Sequence, residues 1–327
     1  MMNEVSTAVN PLLAINTDFG DYLTAYTRSY QGHTIDGNLD YAYESDHAVR
    51  QKLLGLGGAS KLFKAVNTQD ISAEAKHLFM KCDQVGPLKY PDIYDVVRKC
   101  SERLELVVPI ALIREDIDKE LIYSISSDLI DPCIVMTKKL TQMCTYDELM
   151  LLVGCECGRL QNGHCQFNMA YTYLNVNKDC YKPVSRNYPS PVSSQLYSAL
   201  SGWIKFGEQT ALRAGMICLD KPGRFLEIIT GLYERGFMDF YGRKQESFNK
   251  GLAEMTEKLH VTDSRNLAVD SSLTELEKAF LAANEFLYCA TLYDWRKDID
   301  GKEQKIQPVQ MCDVRTSIIV GNGGHGL

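Results

Sequence analysis

Hydrophobic residues recur at helical spacing along much of the chain, except in one region that has strand-like runs. Apolar residues three and four positions apart indicate an amphipathic helix over Pro91–Leu104. Apolar runs rich in β-branched residues then predict strands at Val107–Ile113, Leu121–Ser126 and Cys133–Thr137. We therefore expect a small sheet that follows a helix.

The second half of the chain is predicted to be almost entirely helical. Helices are indicated at Trp203–Leu219 and Arg224–Gly236, and a long helix or a broken pair at Leu273–Trp295. The Pro-, Ser- and Asn-rich segment Lys182–Ser194 predicts a loop, and residues 240–265 resemble an exposed helix and linker. Together the patterns predict an α+β fold that is mostly helical, with a small mixed or antiparallel sheet.

One further helix is indicated within Leu149–Cys165 and the residues just before it. Thr145 is a good N-cap, and Glu148 three residues later completes a capping box. Asn162-Gly163 provides the stop signal. The run Leu149–Val153 is apolar on every side, so this helix is predicted to be buried on most of its faces.

Two charged residues, Glu156 and Arg159, follow that apolar run in the same helix. Charged side chains are rarely buried without a partner, so they are expected to pair with each other, pair with a third group, or face a cavity. The five positions from Cys155 to Arg159 have the layout His-Glu-x-x-His of a zinc-protease helix, with both histidines replaced. Cys155 has a thiolate available for zinc, whereas Arg159 keeps its proton and has no acceptor.

Composition sets the broad class. The chain has 327 residues, of which 45% are hydrophobic and 24% charged, as in soluble globular proteins. Its net charge of −7 lacks the basic footprint of a nucleic-acid-binding protein, so no nucleic-acid partner is expected. The N-terminal stretch lacks the pattern of a secretory signal, and no apolar run is long enough to span a membrane. The 11 scattered cysteines are expected to be reduced thiols in the cytoplasm.

Several segments, taken in order, resemble one known family. These are Tyr90-Pro91-Asp92-Ile93-Tyr94, the capped run from Thr145 through Gly154 to His164, and WIKFGEQTALRAG from Trp203 to Gly215. The last is similar to a motif Trp…Glu-x-x-Ala-Asp-Arg-Ala-Gly. On these residues the chain resembles the HtpX and CaaX-prenyl-protease family of zinc metallopeptidases, especially its soluble bacterial members.

The resemblance implies a zincin-like core with a buried helix of the active-site type. The metallopeptidase-like domain is expected over residues 86–300, and the sequence pattern predicts a helical N-terminal region over residues 1–85 and a C-terminal tail over 301–327. The resemblance also assigns roles to individual positions. Glu156 matches the general base and Glu208 the third zinc ligand, while Cys155 and Arg159 stand at the two histidine positions and Leu212 stands at an outer-shell aspartate position.

These departures make zinc hydrolysis doubtful, and we hypothesise that Arg159 replaces the ion by bridging to Glu208, Glu156 or both. The alternative is an Arg159 side chain that extends to solvent at the helix end. His164 is interpreted as a helix-end histidine rather than a ligand. No cofactor is expected, apart from zinc if the altered site, with Cys155 and Glu208, still functions.

The leading functional hypothesis is a pseudo-peptidase that binds a peptide or protein, with Leu121, Ile122 and Tyr123 on the edge strand of the groove. The alternative is an active metalloendopeptidase of the same family with an altered zinc site. A third hypothesis is an interaction protein whose groove is filled, which would have no cavity near Glu156 and Glu208.

Overall fold

The computed structural model of the protein describes residues 32–35, 37–66, 80–127, 130–176, 194–301 and 306–321. The first 31 residues, residues 322–327 and most of the loop predicted at Lys182–Ser194 lie outside the described residues. Two short strands pair as a hairpin, Thr34–Ile35 (β1) and Asn38–Leu39 (β2). The main sheet consists of Asp83–Gln84 (β3), Ile110–Arg114 (β4), Ile122–Ser127 (β5) and Ile130–Thr137 (β6).

Helices make up most of the described structure. In chain order they are Glu44–Leu54 (α1), Ala59–Ala65 (α2), Pro91–Arg103 (α3), Lys138–Met143 (α4), Tyr146–Gln161 (α5), Cys165–Val176 (α6), Ser194–Cys218 (α7), Phe225–Glu234 (α8), Leu252–Val261 (α9), Glu275–Asn284 (α10), Ala290–Trp295 (α11) and Val309–Ile319 (α12). The fold is therefore α+β and mostly helical, as predicted. Among the described helices, none has both the length and the hydropathy needed to cross a bilayer.

The main sheet is small and mixed. Its strand order is β3-β4-β6-β5, with β4 parallel to β6 and the other two pairings antiparallel. All three predicted strands are present, with ends that differ by a few residues from the predicted ones. Strand β5 ends the order and is therefore an edge strand of the described sheet.

Helix α5 forms as its end signals predict. The Thr145 hydroxyl accepts a hydrogen bond from the Glu148 amide at 3.4 Å, and the Glu148 carboxylate accepts one from the Thr145 amide at 2.7 Å. These reciprocal bonds satisfy amide groups that the first helical turn leaves without partners. The helix ends at Gln161, before Gly163 at φ 66°, a conformation that favours glycine.

Helices α5 and α7 are antiparallel and unusually close, because glycines line their contact. A methyl group added at Gly154 would lie 2.7 Å from the Cys218 Cβ, and one added at Gly158 would lie 2.3 Å from the Ala214 Cβ. Neither distance leaves room for a side chain. The backbones approach there, which brings Glu156 and Arg159 of α5 towards the middle of α7.

The C-terminal part of the chain agrees with the prediction in one place and differs in another. Of the two alternatives predicted for Leu273–Trp295, the broken pair is present, as α10 and α11 joined by a 3-10 turn at Glu285–Tyr288. The segment interpreted as a tail contains helix α12, which is packed into the core. Its hydrophobic pattern is weak because its buried face carries ion-paired residues, including Arg315, whose Nε donates to Glu285 at 2.5 Å.

We expect Gly158→Ala to lower the free energy of unfolding by about 2 kcal/mol, because the added methyl group overpacks the contact between α5 and α7. Gly202→Ala in α7 is the matched control, since nothing lies within 4 Å of its added methyl group. There alanine's higher helix propensity should raise stability by about 0.5–1 kcal/mol. Denaturant titration measures both changes, and equal stabilities of the two variants would contradict the close packing.

Candidate functional site

Glu156 is a buried carboxylate of α5 whose two oxygens are both engaged. It is 5% exposed. Arg159 Nε donates to its Oε1 at 3.2 Å, and Ser124 Oγ of strand β5 donates to its Oε2 at 2.7 Å. Burial raises the pKa of Glu156, and the bonds from Arg159 and Ser124 oppose that rise. The hypothesised contact between Arg159 and Glu156 is therefore confirmed.

Glu208 on α7, also 5% exposed, is bound by a different arginine. The Arg243 guanidinium donates from Nη1 to Glu208 Oε2 at 2.9 Å and from Nη2 to Oε1, a two-pronged bond. The prediction missed Arg243, because residues 240–265 were interpreted as an exposed helix and linker. Sequence periodicity has no signal for a loop residue that reaches back to a helix.

Arg243 is the last residue of a tight turn, which we name the 239–243 turn after its residues. The Asp239 amide donates to the Arg243 carbonyl at 3.1 Å, and Gly242 has φ 80°. One Asp239 carboxylate oxygen accepts from the amides of Tyr241 and Arg243, at 3.0 and 2.8 Å. The other accepts from Arg243 Nε at 2.6 Å. Asp239 thus organises the turn and holds the arginine side chain in place.

Tyr241 joins the two acid–arginine pairs. Its ring centroid lies 5.9 Å from the Arg159 Cζ and 5.6 Å from the Arg243 Cζ, so both guanidinium groups face the ring. Its hydroxyl donates to Asn168 Oδ1 of α6 at 2.5 Å. The site is therefore one connected unit of two carboxylates, two guanidinium groups and a tyrosine.

Cys155 and Leu212 do not join this unit by any described hydrogen bond or ion pair. The Cys155 sulfur packs against Gly215 of α7, where an added methyl group would lie 2.7 Å from it. Gly215 is seven residues from Glu208, about 10 Å of helical rise. Burial raises the pKa of the Cys155 thiol well above its ordinary value. Leu212 is buried in the main apolar cluster.

These residues do not fit the zinc ion that the family resemblance implies. Glu156 is already ion-paired with Arg159, and Glu208 with Arg243. An added cation would be repelled by both arginines. The Cys155 sulfur is directed into the helix contact. Within the described ranges, no group of three or more His, Cys, Asp and Glu side chains is placed to hold a metal ion.

The predicted groove edge lies next to this unit. The Leu121 carbonyl accepts from the Thr137 amide at 3.0 Å, so by strand alternation the backbone groups of Ile122 and Ser124 point away from β6. The ring of Tyr123 lies 6.2 Å from that of Phe240 in the 239–243 turn. Ser124 connects the strand to Glu156 directly.

A cavity of about 240 Å³ opens beside Glu208. Its wall includes the two rings of Tyr171 and Tyr241 and the cationic side chains of Lys205 and Arg243. The cavity adjoins Glu208 and its lining does not include Glu156, so the groove is open beside Glu208, with a space smaller than a typical small-molecule site.

His164 has a structural position at the end of α5. Its Nε2 lies 2.8 Å from an oxygen of Asp46, which is fully buried. Asp46 also accepts from Trp203 Nε1 at 2.7 Å, Thr210 Oγ1 at 2.8 Å and Arg50 Nε at 3.0 Å. Burial opposes the charge of Asp46, but His164 and the other donors outweigh it and hold its pKa well below its usual range. This network ties the N-terminal region to α7.

No family model, curated protein sequence or solved structure matches this chain. The family resemblance of its motifs, the zincin-like core and the division into residues 1–85, 86–300 and 301–327 therefore stay predictions. The interactions among Glu156, Arg159, Glu208 and Arg243 are independent of that resemblance, because they are distances within this structure.

We expect Arg243→Gln to lower the free energy of unfolding by about 3 kcal/mol, because it leaves the buried Glu208 carboxylate without its cation. Adding Glu208→Gln should recover part of that loss, since the amide carries no charge. The pair Arg265–Asp263, whose arginine is 87% exposed, is the control and should show almost no coupling. A double-mutant cycle by urea titration measures both couplings, and equal values would contradict the buried pairing.

Asp46→Asn should cost about 3 kcal/mol at pH 7, because four donors then face an uncharged amide. The lowered pKa of Asp46 means that its contribution is complete above about pH 4 and is lost as pH falls further, so the gap to wild type should narrow in acid. Urea titrations at pH 7 and pH 3 test this. Asp118→Asn, at a 94% exposed side chain, should behave like wild type at both; a gap for Asp46→Asn that widens in acid would refute the assignment.

Proposed function

We propose that this protein is a catalytically degenerate metallopeptidase-like protein, of the HtpX and CaaX-prenyl-protease type, that binds an extended peptide or protein segment without cleaving it. The observation that carries the proposal is the arginine on each family carboxylate, Arg159 on Glu156 and Arg243 on Glu208. A zincin-like arrangement of α5 and α7 is part of the proposal.

The state of Glu156 argues against hydrolysis. A general base needs a carboxylate oxygen within hydrogen-bond reach of a water molecule that it deprotonates. Both oxygens of Glu156 instead accept from protein donors, Arg159 and Ser124. A role in holding strand β5 against α5 fits Glu156 better.

The edge strand supports a binding role. Extended peptides bind at free sheet edges through main-chain hydrogen bonds, and this mode needs no metal ion. Strand β5 ends the described sheet, and its Ile122 backbone groups point away from β6, whereas the Ser124 backbone already bonds to Glu156 and the Ile122 side chain is buried. The main-chain pairing that we propose therefore centres on Ile122. The cavity beside Glu208 offers space for a side chain of the bound segment. A ligand that spans both features would be held by its backbone and by one anchored residue.

The proposal is tested by the metal content and peptidase activity of the purified protein. We expect zinc far below one ion per chain after incubation with zinc and dialysis, because two fixed guanidinium groups occupy the carboxylates. We also expect quenched-fluorescent peptides to be cleaved no faster by wild type than by the Glu156→Gln control. Stoichiometric zinc together with cleavage that Glu156→Gln abolishes would establish the active metalloendopeptidase instead.

A further inference from the structure

The 239–243 turn makes contacts of the kind expected of a bound peptide. It packs beside the edge strand through Phe240 and Tyr123, whose ring centroids are 6.2 Å apart. Tyr241 donates its hydroxyl to Asn168 on α6. The Arg243 guanidinium donates two hydrogen bonds to the Glu208 carboxylate of α7. Three separate elements, β5, α6 and α7, are thus contacted by one short segment.

The charge of the groove determines what else could occupy it. The Glu208 carboxylate is buried, and such a group is strongly destabilising without a cation. Asp239, whose carboxylate also accepts from Arg243, is part of the turn, so it would move away together with the turn. Arg159 is already engaged with Glu156. A replacement for the turn that brings its own positive charge restores the pairing of Glu208, and Lys205 and Lys278 are the other cationic side chains at the cavity wall.

We propose that the region around Asn168 and Glu208 is a recognition site for a peptide that carries an arginine close after an aromatic residue, and that the 239–243 turn occupies it in the absence of such a peptide. The inference rests on the proposed peptide-binding function and names the chemistry of the ligand. The aromatic ring takes the position of Tyr241 and the guanidinium takes the position of Arg243.

The contacts select arginine over lysine. Glu208 accepts two parallel hydrogen bonds, which match the planar guanidinium and not the ammonium group. The Arg159 guanidinium also lies over the Tyr241 ring, 5.9 Å from its centroid, so an aromatic residue at that position gains a cation–π contact. The turn is tethered, so it competes with an effective concentration in the millimolar range, and an added peptide binds better when the turn is weakened.

The first test is chemical rescue of Arg243→Ala in the full chain. N-ethylguanidinium should raise the midpoint of thermal unfolding of this variant by a few degrees, because its guanidinium can again donate two hydrogen bonds to Glu208. Ethylammonium should raise it much less. Wild type and the exposed-site control Arg224→Ala should respond to neither compound, since their Glu208 is already paired. Equal responses to both cations, or equal responses in all three proteins, would overturn the guanidinium subsite.

The second test uses a labelled synthetic peptide with the sequence of residues 237–245, FMDFYGRKQ, and its Arg→Gln counterpart. Fluorescence anisotropy should give at least about tenfold tighter binding of the arginine peptide to Arg243→Ala than to wild type, and about tenfold weaker binding of the glutamine peptide. Tyr241→Ala, which loosens the turn but keeps every charge, is the second variant and should also bind the arginine peptide more tightly than wild type does. It serves in place of Arg243→Ala if that variant does not fold.

The outcomes separate this inference from the proposed function. Peptides that bind regardless of their arginine would leave peptide binding intact and refute the arginine site. Guanidinium-specific rescue without binding of any peptide would show only that Glu208 accepts a guanidinium, and it would overturn both the peptide recognition site and the peptide-binding function. Tight binding of the arginine peptide that persists in Glu208→Gln would also refute the site, because the carboxylate is its anchor.

Discussion

Buried carboxylates that require a fixed positive charge are the constraint on which this site depends. Glu156 and Glu208 lie on two helices in close contact, and water is largely excluded from both. In such surroundings an ionised group is tolerated only with a partner that shares its charge. Arg159 and Arg243 fill that role, and both guanidinium groups lie over the Tyr241 ring. The position of the 239–243 turn follows from the same requirement.

The glycine contact between α5 and α7 makes this arrangement possible. Gly154 and Gly158 let the helix backbones approach, so that charged side chains on either side of the contact come together instead of reaching solvent. The Asp46 network then fixes the end of α5 and the middle of α7 to the N-terminal region. The site is therefore supported by packing on one side and by hydrogen bonds on the other.

Sequence patterns correctly predicted those features that depend on residues close together in the chain. The capping box at Thr145, the stop at Gly163 and the three strands depend on neighbouring residues, and all are present. The pairing of Arg159 with Glu156 was also predictable, because residues three apart on a buried helix meet. Arg243 was not, since its partner lies 35 positions away and nothing in the loop's composition distinguishes it. Helix α12 was missed because ion pairs, rather than apolar residues, satisfy part of its buried face.

The central claim is that two guanidinium groups take the place of a metal ion at these carboxylates. Anomalous diffraction at the zinc absorption edge, from crystals soaked in a zinc salt, tests it most directly. The account predicts no zinc peak within bonding distance of Glu156 or Glu208, and density for the Arg243 fork on Glu208. A zinc peak between the two carboxylates, with Arg243 turned away, would contradict it.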